Sequence, residues 1–214
     1  HLKKIMKYLS WLTILLTAFL FSLTGKVEGL KVGDEMPAAN VKMKNIDRSK
    51  KTLDDYVQES GLLVIFSCNT CPFVIGNESF EGWEEDYEEI RSTANENGFG
   101  VVLINSNEAK RKKGDSFKDM EKRAKKYNYK MPYLYDENHK VADAFGAKTT
   151  PHIYLFDANK KLIYTGAIDD SYKPDVDKEA ATPYLMNAIK NSKLEQLINP
   201  NTTPPKGCSI KRKS

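Results

Sequence analysis

Two cysteines separated by two residues, Cys68-Asn69-Thr70-Cys71, have the type and spacing to do covalent chemistry. Thiols so spaced can close a small disulfide across the first turn of a helix. The apolar run Leu62-Leu63-Val64-Ile65-Phe66 ends just before Cys68, and a helical pattern begins at Cys71. A helix N-terminus has free N–H groups and a positive dipole end that favour a thiolate. The C-terminal end of a parallel strand is also where open α/β sheets bind ligands. On this reading Cys68 is the exposed, low-pKa nucleophile. Cys71, one turn inside, is the resolving thiol that attacks the mixed disulfide. Pro72 follows at an early helix position, where its missing N–H costs little. Half of a zinc site is a second reading, although no second C-x-x-C or H-x-x-x-H accompanies the pair. A structural disulfide is a third. Placement between a buried strand and a helix favours redox work.

Three further residue sets bear on this chemistry. Thr149-Thr150-Pro151 precedes the strand-like His152-Ile153-Tyr154-Leu155-Phe156. On its own Pro151 reads as an ordinary trans-Pro that starts a strand; a cis turn there could instead face the cysteines, and Thr150 and Pro151 would then shape a groove where a substrate chain pairs as an added strand. Cys208 is the odd thiol, in a tail with Lys206, Lys211, Arg212 and Lys213 whose charges favour its thiolate. It is a candidate third redox thiol that reaches Cys68; a docked tail strand and an intermolecular disulfide are the other readings. His152 with Cys68 and Cys71 raises a metal-delivery reading, but lone imidazoles near a sheet are more often simply hydrogen-bonded. We therefore expect no metal ligands and no cofactor. The basic run Lys110-Arg111-Lys112-Lys113 reads as a solvated loop.

The elements that must hold these residues follow from hydrophobic pattern. Val41–Ile46 alternates like an edge strand, and Thr52 caps a short helix through Val57. Leu62–Phe66 and Val101–Ile104 are strands buried on both faces. Residues 71–97 carry one long helical pattern, with Gly76 and Gly82 as points of bending. Ser116–Lys126 is an amphipathic helix, Tyr133–Tyr135 a short strand, and Lys140–Phe145 a brief helix stopped by Gly146. His152–Phe156 and Lys161–Tyr164 form a hairpin, and Thr182–Asn191 is a last helix. Strand, helix, strand, helix, then hairpin and helix gives an α/β fold with a mixed central sheet flanked by helices.

The N-terminus reads as an address. His1–Lys7 is basic, Tyr8–Leu23 is apolar apart from Ser and Thr, and small or polar residues follow. Residues 1–29 are expected to be a signal peptide or, if uncleaved, an N-terminal anchor. Residues 30–198 form the domain, and residues 199–214 a Pro-rich linker with a basic, Cys-containing tail. The formal charge of the chain is +4. The first 29 residues contribute +3 and the last nine +4, so the remainder is −3. That distribution gives no nucleic-acid footprint.

Together these motifs resemble the thioredoxin-like redoxin group, related to the alkyl hydroperoxide reductase and thiol-specific antioxidant proteins. The likeness is carried by Phe66–Val74, Leu103–Asn107, Asp115-Ser116-Phe117 with Met120, Pro132–Glu137, Ala144–Ala147 and Thr150-Pro151. It continues through Leu155-Phe156-Asp157, Gly166 with Asp169-Asp170, and Gly207-Cys208-Ser209-Ile210-Lys211. The resemblance implies a thioredoxin fold, a cis bond at Pro151 beside Cys68 and Cys71, and thiol–disulfide exchange or peroxide reduction. Two departures stand out. Thr70 sits where members of the group often have His, which removes a cation that would lower a thiol pKa. The strand before the pair has no acid to take a proton, which leaves proton transfer to water or to a nearby group such as Glu78. Peroxiredoxins have a Pro-x-x-x-Thr-x-x-Cys loop, and neither cysteine here fits it, so peroxide reduction ranks second.

The sequence thus predicts an exported thiol–disulfide oxidoreductase of the periplasm or cell envelope. Its partners would be protein thiols and disulfides and a redox partner protein, with peroxide as an alternative substrate and membrane contact only if the N-terminal segment is retained. Metal binding or delivery by the same cysteines is the further alternative.

Overall fold

The computed structural model describes residues 29–213. The segment read as an export signal lies outside them except for Gly29. Among the described residues no helix is long and apolar enough to cross a membrane.

Strands β3 (Gly61–Ser67) and β4 (Phe99–Asn105) form the centre and are buried at every position. Uninterrupted apolar runs do this where both faces of a sheet are covered. The two strands are parallel, with Gly61 opposite Phe99 and Ser67 opposite Asn105, so their C-terminal ends lie side by side. Strand β7 (His152–Asp157) runs antiparallel along the other edge of β3, and β8 (Leu162–Gly166) lies beyond it. On the far side β5 (Tyr133–Tyr135) is parallel to β4, β1 (Met43–Asn45) lies antiparallel beside β5, and β2 (Lys50–Lys51) is the antiparallel edge strand. The order is β2-β1-β5-β4-β3-β7-β8. A separate two-stranded sheet joins β6 (Thr149–Thr150) to β9 (Cys208–Ser209).

Strand alternation divides the interior into two cores. Leu63, Ile65, Leu103, Ile153 and Leu155 share one with Cys68, Cys71 and Trp83. Helices α2 (Tyr87–Glu96), α3 (Phe117–Lys126) and α5 (Tyr184–Lys193) bury Ile90, Met120 and Leu185 there. Leu62, Val64, Phe66, Tyr154 and Phe156 face the other core, which α4 (Lys140–Phe145) covers with Val141 and Phe145.

The long helix expected over residues 71–97 is broken. It comprises α1 (Pro72–Ile75), an irregular stretch, a 3-10 turn at Trp83–Asp86, and α2. The cause is the pair of glycines that the sequence marks as points of bending. Gly76 and Gly82 have φ of 82° and 84°, and a Cβ on Gly82 would come within 2.2 Å of the Gly76 nitrogen. Side chains are disfavoured at both positions, and the chain turns between them. The expected helix after Thr52 shrinks to a 3-10 turn at Asp54–Tyr56, although Thr52 Oγ1 does accept the Asp55 N–H at 3.3 Å.

Beyond α5 the chain returns across the domain. Thr203 N–H donates to the Thr165 carbonyl at 3.0 Å, and Ile210 N–H to the Lys148 carbonyl at 2.9 Å. Ile210 is buried in the second core.

Candidate active site

The end of β3 delivers Ser67 and Cys68 to the edge of the first core, and Cys71 is the residue from which α1 starts. Both cysteines are buried, 1% and 2% exposed. All three cysteines are free thiols. The Thr150–Pro151 peptide bond is cis, as the resemblance implies. It brings two Thr150 oxygens to the sulfurs. Thr150 Oγ1 lies 3.2 Å from Cys68 Sγ, and the Thr150 carbonyl lies 3.0 Å from Cys71 Sγ.

The third thiol joins them. β9 pairs antiparallel with β6, placing Cys208 opposite Thr150 and Ser209 opposite Thr149. Cys208 N–H donates to Cys71 Sγ at 3.4 Å. Thus the structure brings Cys208 to Cys71, not to Cys68 as the sequence reading has it.

The proton order of the pair is also reversed. Cys71, not Cys68, holds the depressed pKa, pushed down to about 5. The largest cause is the Cys68 thiol, which donates to the Cys71 sulfur. The thiol and amide of Cys208 and the Phe73 amide add to it, against the opposing effect of burial. The Thr150 carbonyl favours the protonated form, since it can only accept the Cys71 S–H. Cys68 is pushed well up because its proton is held by Cys71, with burial and the charge of Asp115 adding. Cys208 rises to about 11, chiefly through burial and then through its bond to Cys71.

A buried carboxylate fixes the loop between the cysteines. Asp115 Oδ1 accepts the Asn69 N–H at 2.7 Å and Asn105 Nδ2 at 2.8 Å. Its Oδ2 accepts Thr70 Oγ1 at 2.7 Å and Asn107 Nδ2 at 3.1 Å. Asn69 Oδ1 in turn accepts the Tyr133 hydroxyl at 3.0 Å. Thr70, the departure from the group's His, is therefore a loop anchor. Asp115 next to Ser116, the N-cap of α3, is a residue that the sequence reading has only as part of the resemblance, with no role at the cysteines. Glu78 is exposed and takes no part in this arrangement. The available signal was Asn105-Ser106-Asn107, a polar run closing a strand buried beside the cysteine strand.

One further expectation changes. Arg111 is not in a solvated loop. Its Nη1 donates to Asn105 Oδ1 at 2.8 Å and to the Asp115 carbonyl at 2.9 Å, and its Nη2 donates to the carbonyls of Asn105 and Asp136, both at 2.9 Å. The guanidinium lies over the Tyr135 ring. His152 is on the opposite side of the sheet from the cysteines, its ring against Tyr154 at 4.5 Å. Strand alternation separates it from the pair, so it cannot join them at one metal. Burial pushes its pKa down to about 3, so it is a neutral ring. Among the described residues no three His, Cys, Asp or Glu side chains are grouped to hold a metal.

Comparison with known proteins now assigns the chain to a family. Residues 31–181 match the Redoxin family, and the chain belongs to it. An uncharacterized conserved protein from Geobacillus kaustophilus is 30% identical, with a TM-score of 0.76 over 86% of this chain and 93% of that one. A hypothetical protein from Sinorhizobium meliloti 1021 is 28% identical, with a TM-score of 0.75 over 87% and 97%. A thioredoxin-like protein solved in its oxidised form has a TM-score of 0.55 at 17% identity, covering 78% of this chain and 99% of its own, which shows the thioredoxin-like fold alone. No curated protein matches the chain.

Proposed function

We propose that this redoxin is an exported thiol–disulfide oxidoreductase whose reactive sulfur is Cys71. Family membership supports oxidoreductase chemistry in general. The observation that carries the narrower reading is the place of the Cys71 sulfur, at the start of α1 with the Cys208 amide donating to it at 3.4 Å, in line with its lowered pKa. Thiolate is the nucleophile in disulfide exchange. Export rests on the basic, apolar and small-residue pattern of residues 1–29.

The step balances as follows. Cys71 thiolate attacks one sulfur of a substrate disulfide, forming a Cys71–substrate disulfide and expelling one substrate thiolate. A second protein thiol attacks Cys71 Sγ, gives up its proton, and expels the other substrate thiolate. Two electrons leave the protein and the substrate disulfide becomes two thiols. Run backwards, the same step oxidises a dithiol, and the reduction potential sets the direction. The substrates are protein disulfides or thiols, and a partner dithiol protein resets the enzyme. Thr150 and cis-Pro151 would line the substrate groove, and an extended chain would pair with the β6 edge once β9 leaves it.

Insulin disulfide reduction in dithiothreitol tests this. Cys71→Ser should lower the catalysed rate at least about 100-fold, and a variant as fast as the parent overturns the reading. Reaction of Cys71 with hydrogen peroxide should be no faster than a free thiol; a much higher rate would move the assignment to peroxide reduction.

A further inference from the structure

The three thiols do not form an equivalent set, and the tail that brings Cys208 is built to a fixed position. Gly207 passes so close to β6 that a Cβ there would lie 2.2 Å from the Thr150 carbonyl oxygen and 3.0 Å from the Pro151 nitrogen. Those are backbone atoms of the cis turn, so only glycine allows this approach. On the other side of Cys208, Ile210 is plugged into the second core. Lys211 N–H donates to Asn107 Oδ1 at 2.9 Å, its carbonyl accepts Ala109 N–H at 2.8 Å, and Arg212 pairs with Asp143 at 2.7 Å. Lys206 lies over the rings of Phe73 and Tyr172. Every residue around Cys208 thus serves its position, and that position is against Cys71.

We propose that Cys208 is the resolving thiol of Cys71, so that the oxidised protein carries a Cys71–Cys208 disulfide between the C-terminal strand and the start of α1. The proposal rests on the reading of Cys71 as the reactive sulfur and names its partner. β9 takes the pairing edge of β6, the edge that an extended substrate would use. Substrate and tail therefore compete for Thr149–Thr150. When the substrate sulfur is joined to Cys71, return of β9 to its register carries Cys208 Sγ to Cys71 Sγ. Cys208 loses its proton to solvent and forms the Cys71–Cys208 bond, and the Cys71–substrate bond breaks with the electron pair leaving on the substrate thiolate. The oxidant is the substrate disulfide, reduced by two electrons as Cys71 and Cys208 are oxidised. Loss of the Cys71 charge in the mixed disulfide also removes one of the causes that hold the Cys208 proton, and Lys211 favours the resulting thiolate. Cys68 is the poorer candidate for this step. Asp115 opposes its charge, and among the described residues no hydrogen bond links Cys68 to β9, the strand that would deliver a resolving thiol. Its part is that of a positioning residue, donating to the Cys71 thiolate.

Oxidised glutathione is the probe. The reduced full chain is treated with it, quenched with acid, alkylated and mapped by mass spectrometry without reduction. The expected product is a peptide pair linked through Cys71 and Cys208, with little glutathione left on the protein. In Cys208→Ser, and equally in Cys208→Ala, the Cys71–glutathione adduct should accumulate at least about 10-fold over the parent. In Cys68→Ser the Cys71–Cys208 link should still form. A parent chain linked only through Cys68 and Cys71, with the adduct resolved in Cys208→Ser as fast as in the parent, overturns the role of Cys208 and leaves Cys71 as the reactive sulfur. Absence of any adduct or link at Cys71 in all variants overturns both. The mapping of the parent chain needs no substitution, so a variant that folds poorly does not remove the test.

Discussion

Two polar clusters lie within one short stretch of backbone and are built to opposite rules. Around Asp115, donors and acceptors are matched once and for all: both carboxylate oxygens take two donors each, from Asn69, Thr70, Asn105 and Asn107. Around Cys71 one sulfur can both give and take a proton. Cys68 and Cys208 both offer a proton to its sulfur, while the Thr150 carbonyl takes a proton from it. A fully satisfied buried network is rigid, because every departure leaves a polar group unpaired in low dielectric. A cluster with more than one arrangement lets protons and bonds be redistributed. The difference teaches where the scaffold ends and the chemistry begins: Asn69 and Thr70 belong to the first, and the cysteines at either end of them belong to the second.

The strongest way to break this contrast is at Asp115. Asp115→Ala removes the acceptor of four donors, in a residue with no exposed surface. Each orphaned buried donor costs about 1–3 kcal/mol, partly recovered by relaxation. We expect a loss of about 3–5 kcal/mol in urea unfolding, together with loss of the depressed Cys71 pKa as the loop slackens. A loss below about 1 kcal/mol would mean that the network around Asp115 does not hold the loop.

What the sequence reveals follows the same division. The strands Leu62–Phe66 and Val101–Ile104 are readable because an uninterrupted apolar run is local, and so are the cap at Ser116 and the stop at Gly146. The two-cysteine motif is readable from type and spacing, and the cis turn from the resemblance alone. Arg111 and Asp115 are not, since their partners come from separate segments that meet only after folding. Arg111 also sits in a basic run that hides an inward-facing member. The break between Gly76 and Gly82 depends on contact between their backbones, which composition does not encode. The order of the thiols misleads for a sharper reason. Local sequence puts Cys68 first, but part of what holds the Cys71 thiolate comes from Cys208, 137 residues away.

A second substitution sharpens the contrast from the side of the thiols. Gly207→Ala sets a Cβ against backbone that cannot yield, so β9 must leave β6 locally. Overpacking of this kind costs about 1–3 kcal/mol. Thermal unfolding should register that loss, and Cys208 should label with a maleimide several-fold faster than in the parent. The Asp115 network should be untouched, so Cys68 should remain protected. Equal labelling of Cys208 in both proteins would mean that the tail does not depend on this close approach.

The smallest effect tests the hydrogen bond that ranks first among the causes of the Cys71 shift. In the parent, Cys71 should react with iodoacetamide along a curve that rises as pH passes upward through about 5 and is flat above it, because only the thiolate reacts. Cys68→Ala removes the donor, so the thiolate loses its main stabilisation and the midpoint should move up by about one unit, equal to about 1.4 kcal/mol. Cys68→Ser restores an O–H in nearly the same place and should return the midpoint most of the way. A general loosening of the site would raise the midpoint in both variants; a lost proton donor raises it in the alanine variant only. An unchanged midpoint in Cys68→Ala would place the cause in Cys208 and the backbone amides, and Cys68 would then be a packing residue beside a site run by the tail.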